Sequence, residues 1–241
     1  MLKALIFDVD GTLADTEMAH LAAFNHAFSE MGFDWRWDVP LYRSLLSVSG
    51  GKERIKSYWL TQSPEISDIS GSGIQETIDR LHALKTAAYE QAVQDGLVAM
   101  RPGVLALLSA AKDADLQLAI ATTTSPVNIA ALLRQAIGLD WRMNFGVIED
   151  ASTAPRKKPD PMVYAQTLSR LGLRSHRCLA FEDSENGLKA AMATGLQTII
   201  TPNDFTSHHN FEGALKVLPN LSGVGIAQLR EWHQSVTKDI A

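Results

Sequence analysis

Short apolar segments that end in acidic or hydroxyl residues alternate with amphipathic helical patterns along this chain. The apolar segments occupy residues 5–8, 118–121, 178–181 and 197–200, with a weaker one at 146–148. Such near-continuous apolar runs are typical of strands that are buried on both faces in a parallel sheet. Helical patterns follow at residues 104–114, 126–136, 161–171 and 184–194. The alternation predicts an α/β fold with a doubly wound parallel sheet.

The segment after the first strand has a different character. Residues 16–92 contain helical patterns at 20–31, 52–60 and 75–93, and no convincing strand. We therefore expect a sheet-containing core domain made of residues 1–15 and 96–241. A helical cap domain, residues 16–95, is expected to be inserted after the first strand.

Composition excludes several classes of protein. Of the 241 residues, 46% are hydrophobic, which is too many for a disordered chain. No apolar stretch is long enough to span a bilayer, and a net charge of −5 argues against nucleic-acid binding. Cys178 is the single cysteine and cannot form an internal disulfide, so a cytoplasmic location is expected. We expect a monomer that acts on a small molecule.

The segment Asp8-Val9-Asp10-Gly11-Thr12 directly follows the first apolar run. It places two carboxylates at the carboxyl end of a strand, where open α/β sheets bind their ligands. An ionised Asp8 can attack phosphorus, and a protonated Asp10 can donate its proton to a leaving oxygen. A plain strand-ending turn is the alternative, because Asp and Gly are common turn residues.

A second acidic pair, Glu182-Asp183, ends another apolar run and precedes Ser184. Oxygen ligands of this kind suit a hard cation such as Mg²⁺. Acidic residues are also favoured at helix starts, and Ser184 is predicted to cap the helix that follows.

Hydroxyl and lysine residues precede two further helices. Thr122-Thr123-Thr124-Ser125 could bind an anion through hydroxyls and backbone N–H groups, or could be an ordinary helix cap. The pair Lys157-Lys158 could neutralise a phosphoryl group, or could be a solvated basic pair. His208-His209 has no partner at metal-ligand spacing and is predicted to lie in a surface loop.

Together these motifs resemble those of the haloacid dehalogenase superfamily, whose phosphotransferases carry the pattern Asp-x-Asp-Gly-Thr. The resemblance implies a Rossmann-like core in which Asp8 is the nucleophile and Asp10 the general acid and base. It assigns Thr122 to the hydroxyl motif and Lys158, followed by Pro159, to the lysine motif. Mg²⁺ would be held by the Asp8 side chain, the Asp10 backbone carbonyl and Asp183, with support from Glu182.

The helical insert resembles the small cap of the phosphatase and β-phosphoglucomutase branch. Ser49-Gly50-Gly51-Lys52-Glu53-Arg54 matches its substrate-specificity loop, and the glycines would let the backbone approach a ligand. Lys52 and Arg54 could hold a second phosphate or another anion, or could be solvated residues at the start of a helix. Thr123 and Thr124 would join Thr122 at the first phosphate. Glu17 and His20 could touch substrate hydroxyls, although a core or surface histidine is an equal interpretation of His20.

Together with Trp35 and Trp37-Asp38, these motifs also resemble those of the CbbY-type group of this superfamily. The resemblance implies dephosphorylation of xylulose-1,5-bisphosphate, a compound that inhibits Rubisco. A Mg²⁺-dependent sugar-phosphate phosphatase is therefore the leading hypothesis. A β-phosphoglucomutase-like phosphomutase would use the same residues, and a phosphatase of another small ester stays open. A dehalogenase is disfavoured by Asp10, and a regulator without catalysis by the complete catalytic set.

Overall fold

A six-stranded parallel sheet forms the centre of the protein in a computed structural model that describes residues 1–63 and 73–237. The strands are β1 (Ala4–Phe7), β2 (Gln117–Ala121), β3 (Val147–Glu149), β4 (Cys178–Glu182), β5 (Gln197–Ile200) and β6 (Lys216–Val217). Their order across the sheet is β3-β2-β1-β4-β5-β6. The predicted doubly wound α/β fold is confirmed, and β6 is the strand that the sequence did not reveal.

Helices cover both faces of this sheet. The helices outside the insert are α5 (Val104–Asp113), α6 (Pro126–Ile137), α7 (Met162–Leu171), α8 (Glu185–Met192) and α9 (Ile226–Thr237). Alternate strand residues point to opposite faces. Leu5 and Phe7 pack with residues of α5, α6 and α9, whereas Ala4 and Ile6 pack with residues of α7 and α8. Burial of every residue of β1 explains its unbroken apolar sequence.

Between β1 and α5 the described residues form four helices, which pack around an apolar cluster apart from those on the two sheet faces. They are α1 (Glu17–Glu30), α2 (Val39–Leu45), α3 (Gly51–Gln62) and α4 (Ile74–Gln94). The centre of this cluster is aromatic: Phe24 contacts both Trp37 and Tyr42. Asp38 caps α2, a helix that the sequence analysis did not predict. We call the segment from α1 to α4 the helical insert.

Two chain segments connect the helical insert to the sheet and run side by side. Asp15 N–H donates to the Ala99 carbonyl, and Arg101 N–H donates to the Leu13 carbonyl. The buried Arg101 side chain also donates to the Gly11 carbonyl at 2.6 Å and so ties this junction to the loop after β1. The domain boundaries at residues 15/16 and 95/96 stay a prediction. None of the helices within residues 1–63 and 73–237 is long and apolar enough to cross a membrane.

Candidate active site

The polar residues that follow β1, β2 and β4 meet at the carboxyl edge of the sheet. In the parallel register Phe7 pairs with Ile120 on one side and with Phe181 on the other. The next residues along these strands include Asp8 and Glu182, which therefore lie beside each other across the sheet. This edge is where open parallel sheets bind ligands.

Asp8 and Lys158 form a buried ion pair at the centre of this edge. Lys158 Nζ lies 2.7 Å from Asp8 Oδ1 and also donates to the Ala121 carbonyl at 2.9 Å. Burial raises the pKa of Asp8 to about 7, even though Lys158 lowers it. Burial lowers the pKa of Lys158, but Asp8 and Glu182 outweigh that effect and raise it above its usual value. Of the two adjacent lysines, Lys158 is the one that contacts Asp8.

Glu182 connects Lys158 to the far side of the sheet. Its Oε1 lies 2.5 Å from Lys158 Nζ and accepts a hydrogen bond from the Tyr164 hydroxyl, also at 2.5 Å. Among the described residues, nothing hydrogen-bonds to Glu182 Oε2, which is buried. The structure thus places Glu182 as the carboxylate that orients Lys158.

Asp8, Glu182 and Asp183 form a compact acidic cluster whose candidate ligand oxygens lie within 4.8 Å of one another. Asp183 Oδ2 accepts a hydrogen bond from Asn203 at 2.8 Å. Burial, followed by the charges of Asp8 and Glu182, raises the pKa of Asp183 well above its ordinary value. Three buried carboxylates share one lysine, so the cluster carries an excess of negative charge. A divalent cation with oxygen ligands fits it on charge and on donor type.

Asp10 faces the helical insert instead of this cluster. Its Oδ1 lies 2.9 Å from His20 Nε2, and His20 Nδ1 lies 2.9 Å from Lys85 Nζ. An ammonium group can only donate, so Lys85 donates to Nδ1 and the ring carries its proton on Nε2, which donates to Asp10. Burial raises the pKa of Asp10, but His20 and Lys85 outweigh it and hold that pKa below its usual range. Both ring nitrogens of His20 thus have protein partners, and its contact with a substrate stays a prediction.

The hydroxyl residues lie at the start of α6. Ser125 caps this helix by accepting from the Asn128 N–H at 3.3 Å. Thr122 is buried, and Thr123 and Thr124 line the same cavity as Asp8. Hydroxyls and helix-start N–H groups therefore face the position where a group bound to Asp8 would lie.

The predicted residues of the helical insert reach this cavity from the opposite side. Gly50 has φ of 95°, and a Cβ there would lie 2.1 Å from Glu53 Oε2, so only glycine fits without strain. Lys52 Nζ pairs with Asp79 Oδ1 at 2.7 Å, and both side chains are 48% exposed. Glu17 accepts a hydrogen bond from the Tyr42 hydroxyl at 2.7 Å.

Arg54 is half-buried and contacts other residues of the helical insert. Its guanidinium donates to the Leu45 and Val48 carbonyls and to the Tyr42 hydroxyl, each at 3.2 Å. Three of its five N–H donors thus bind α2 and the turn that follows it, and two are left for a ligand.

A cavity of about 590 Å³ joins the sheet edge to the helical insert. It is lined by every site residue predicted from the sequence except Glu182, and also by residues that the sequence analysis missed. The missed residues include His82, Lys85 and Asn128, and the cavity is also lined by Lys157 and His209, which the sequence analysis named without assigning them to the site. His208 and His209 do lie in a loop, as predicted, but only His208 is exposed. His209 is half-buried: its Nδ1 accepts from the Glu185 N–H at 3.3 Å and the side chain lines the cavity. Ser184 does cap α8, as predicted, by accepting from the Gly187 N–H.

Comparison with known proteins agrees with this architecture. Residues 2–195 match the family model described as haloacid dehalogenase-like hydrolase. The chain belongs to the haloacid dehalogenase-like hydrolase family. The protein is therefore a hydrolase. Several of its relatives are phosphatases, which supports phosphatase activity for this chain.

Members of this hydrolase family with the name CbbY are close relatives. The plasmid CbbY protein of Cupriavidus necator is 50% identical over an alignment of 248 residues, gaps included. The alignment covers 96% of this chain and 97% of that protein. The crystal structure of CbbY from Rhodobacter sphaeroides in complex with phosphate has a TM-score of 0.87 and 40% identity, over 95% of this chain and 100% of that one. A mutant of the same protein was crystallised in complex with xylulose-(1,5)bisphosphate. It has the same TM-score and identity, over 95% of this chain and 99% of that one.

Proposed function

We propose that this hydrolase is a Mg²⁺-dependent phosphatase that removes one phosphate from xylulose-1,5-bisphosphate through an aspartyl-phosphate at Asp8. The observation that carries the proposal is the contact between Asp8 and Lys158 in a cavity that Asp10 also lines. Similarity to CbbY of Rhodobacter sphaeroides, which has been crystallised with xylulose-(1,5)bisphosphate, supports the choice of substrate.

Asp8 would act as the nucleophile. Its ionised carboxylate attacks the phosphorus atom, the P–O bond to the sugar breaks, and the phosphoryl group is transferred to Asp8. Lys158 stabilises the charge that develops on the phosphoryl oxygens, and Glu182 with Tyr164 fixes the direction of the Lys158 side chain. Thr122 and the start of α6 bind the remaining oxygens.

Asp10 would move the proton. It protonates the leaving sugar oxygen, then accepts a proton from the water that attacks the aspartyl-phosphate and releases inorganic phosphate. In the unliganded protein His20 and Lys85 keep Asp10 ionised. A phosphate dianion beside Asp10 counteracts them and favours the protonated acid.

Asp8, the Asp10 backbone carbonyl and Asp183 are the groups proposed to hold Mg²⁺, with Glu182 at the edge of the set. The bound ion would neutralise phosphoryl charge and relieve repulsion between these carboxylates.

Lys52 and Arg54 are proposed to bind the second phosphate. The Lys52–Asp79 pair is half exposed, and such surface pairs contribute only about 0–1 kcal/mol. Lys52 can therefore exchange Asp79 for a phosphate at low cost. Arg54 can add a bidentate contact through its two remaining N–H donors.

The test is phosphate release from a panel of sugar phosphates, each assayed with Mg²⁺ and with EDTA. The panel pairs xylulose-1,5-bisphosphate with ribulose-1,5-bisphosphate and with the xylulose monophosphates. Mg²⁺-dependent release with preference for xylulose-1,5-bisphosphate is expected, and Asp8→Asn should abolish it. Equal release from all of the esters would overturn the substrate assignment, and isomerised sugar phosphate without release would indicate a mutase.

A further inference from the structure

Among the basic side chains of the helical insert that line the cavity, His82 is the one without a hydrogen bond or ion pair to another described residue. Lys52 is paired with Asp79, Lys85 with His20, and Arg54 with backbone carbonyls. No hydrogen bond or ion pair to His82 occurs among residues 1–63 and 73–237. A half-buried imidazole without a partner is available for a ligand that enters this cavity.

The position of His82 is fixed by the glycine loop that begins α3. A Cβ on Gly51 would lie 2.8 Å from both Cδ2 and Nε2 of His82, so the ring packs directly against that glycine. Any larger residue at position 51 would displace the ring. Gly51 therefore makes room for His82, in addition to letting the backbone approach a ligand.

Several charged groups face this ring from the elements around it. Lys52 comes from α3, Asp79 and Lys85 come from α4 itself, and His20 comes from α1. Glu53 of α3 lines the same cavity. Burial, and then the positive charges of Lys85 and Lys52, lowers the pKa of His82 to about 4, with Asp79 acting in the opposite direction. The imidazole is thus neutral near pH 7, because protonation would add a cation among cations.

We infer that His82 contacts the second anionic group of a doubly phosphorylated substrate and becomes protonated when that group binds. The inference rests on the function proposed above and adds to it a residue that selects bisphosphates over monophosphates. A dianion that lies beside Lys52, Lys85 and His82 removes the repulsion that keeps the ring neutral. One proton then passes from solvent to His82, where it forms a charge-assisted hydrogen bond to a phosphate oxygen.

Linkage gives the direction of the pH effect. A ligand that raises the pKa of His82 binds more tightly as pH falls. The effect occurs between the pKa of His82 in the bound protein and its lower pKa in the free protein. The phosphate group titrates in the same range. The comparison that isolates His82 is therefore between proteins with and without this imidazole, because the ligand's own titration is common to both.

Binding to Mg²⁺-loaded Asp8→Asn protein is the first experiment, since this variant should retain substrate. Calorimetry with xylulose-1,5-bisphosphate in two buffers of different ionisation enthalpy gives the affinity and the number of protons taken up. Adding His82→Gln should weaken binding about tenfold, the size of one charged hydrogen bond, and should reduce proton uptake. Adding His26→Gln, an exposed histidine of α1 that does not line the cavity, should change neither quantity.

Kinetics supply the second experiment. In otherwise unmodified protein, His82→Gln should raise KM for the bisphosphate about tenfold and leave xylulose 1-phosphate and xylulose 5-phosphate within twofold. An equal loss on mono- and bisphosphates, or proton uptake unchanged by His82→Gln, would overturn the assignment. The ring can also be followed by NMR in Asp8→Asn protein, where its pKa should rise when the bisphosphate is added.

The two proposals fail in different ways. Absence of phosphate release from every ester by unmodified protein would refute the proposed function, and the calorimetric comparison would still decide the role of His82. The other outcome is normal phosphate release with a strong preference for the bisphosphate that His82→Gln does not alter. It would support the proposed phosphatase function and refute only the role of His82.

Discussion

Lys158 Nζ lies 2.7 Å from Asp8 Oδ1, although 150 residues separate the two in sequence. The same nitrogen contacts Glu182 Oε1 at 2.5 Å, so one buried ammonium group bridges two carboxylates from neighbouring strands. With the Ala121 carbonyl as a third acceptor, Lys158 is held in place before substrate arrives. This position suits the role proposed for it, stabilising the charge that would develop during phosphoryl transfer.

Replacing Lys158 by Met should leave Asp8 and Glu182 without their common cation. We expect kcat to fall by about 10²–10³-fold, the cost of removing one preorganised charge-stabilising donor. Steady-state phosphate release measures the loss. Lys157→Met is the matched comparison, because Lys157 is adjacent but donates only to the Ala151 carbonyl, and its loss of kcat should be much smaller. Equal losses in the two variants would contradict the role given to Lys158.

Divalent cations should stabilise the fold more strongly at pH 8 than at pH 5. The folded-state pKa of Asp8, about 7, lies above its ordinary value of 3.8, so the folded protein loses stability as pH rises through this window. A cation favours the ionised carboxylate and restores that stability. At 100 times its Kd, Mg²⁺ should add about 2.7 kcal/mol, or roughly 5–10 °C in Tm.

Thermal unfolding with Mg²⁺ and with EDTA at the two pH values checks this expectation. Asp8→Asn should reduce the Mg²⁺-induced rise in Tm at pH 8. The substitution removes a proposed Mg²⁺ ligand and also the repulsion between Asp8 and the neighbouring carboxylates. An equal Mg²⁺ shift at pH 5 and pH 8 would show that the cation binds elsewhere.

The sheet, and the position of most candidate site residues at its carboxyl edge, were predictable from sequence because they depend on local patterns. A strand that is buried on both faces must be apolar throughout, and its ligand-binding residues must follow it directly, as Asp8 follows β1. β6 escaped detection because its residues, Lys216 and Val217, are exposed and form only a two-residue strand. Such a short segment leaves no periodic pattern.

The residues from α4 were not predictable in the same way. Lys85 and His82 lie on a helix with ordinary spacing, and their position follows from the packing of α4 against α1 and α3. The pairing of Lys52 with Asp79 depends on the same packing. Sequence alone therefore indicated that Lys52 and Arg54 are available to bind a ligand. In the folded protein both side chains also bind other protein groups: Lys52 pairs with Asp79, and Arg54 donates to backbone carbonyls.

Lys85→Met should impair Asp10 through His20. Loss of the ammonium leaves His20 Nδ1 without its donor, so the ring no longer has a fixed tautomer that donates to Asp10. We expect kcat/KM to fall roughly 10- to 100-fold, because a misplaced general acid and base loses part of its contribution. Lys56→Met, on the exposed face of α3, is the control and should be neutral. A pH–rate profile that is unchanged by Lys85→Met would exclude this coupling.

Gly187→Ala sets two physical effects against each other. Gly187 lies within α8, where alanine would ordinarily stabilise the helix by about 1 kcal/mol. A Cβ at this position, however, would lie 2.0 Å from Glu182 Oε2. Glu182 is 0% exposed and bonded to Lys158 and Tyr164, so it has no room to withdraw. Overpacking should therefore prevail and destabilise the protein by about 1–3 kcal/mol.

The same substitution should lower activity more than its effect on stability explains. Displacing Glu182 moves Lys158, and with it the charge that faces Asp8, so kcat should fall at temperatures where the variant is fully folded. Gly146→Ala is the matched control, because a Cβ there would meet only the Leu118 carbonyl, at an ordinary 3.9 Å. Chemical denaturation and phosphate release, measured on both variants, separate the two effects. A stabilised and fully active Gly187→Ala protein would show that Glu182 can move without disturbing Lys158.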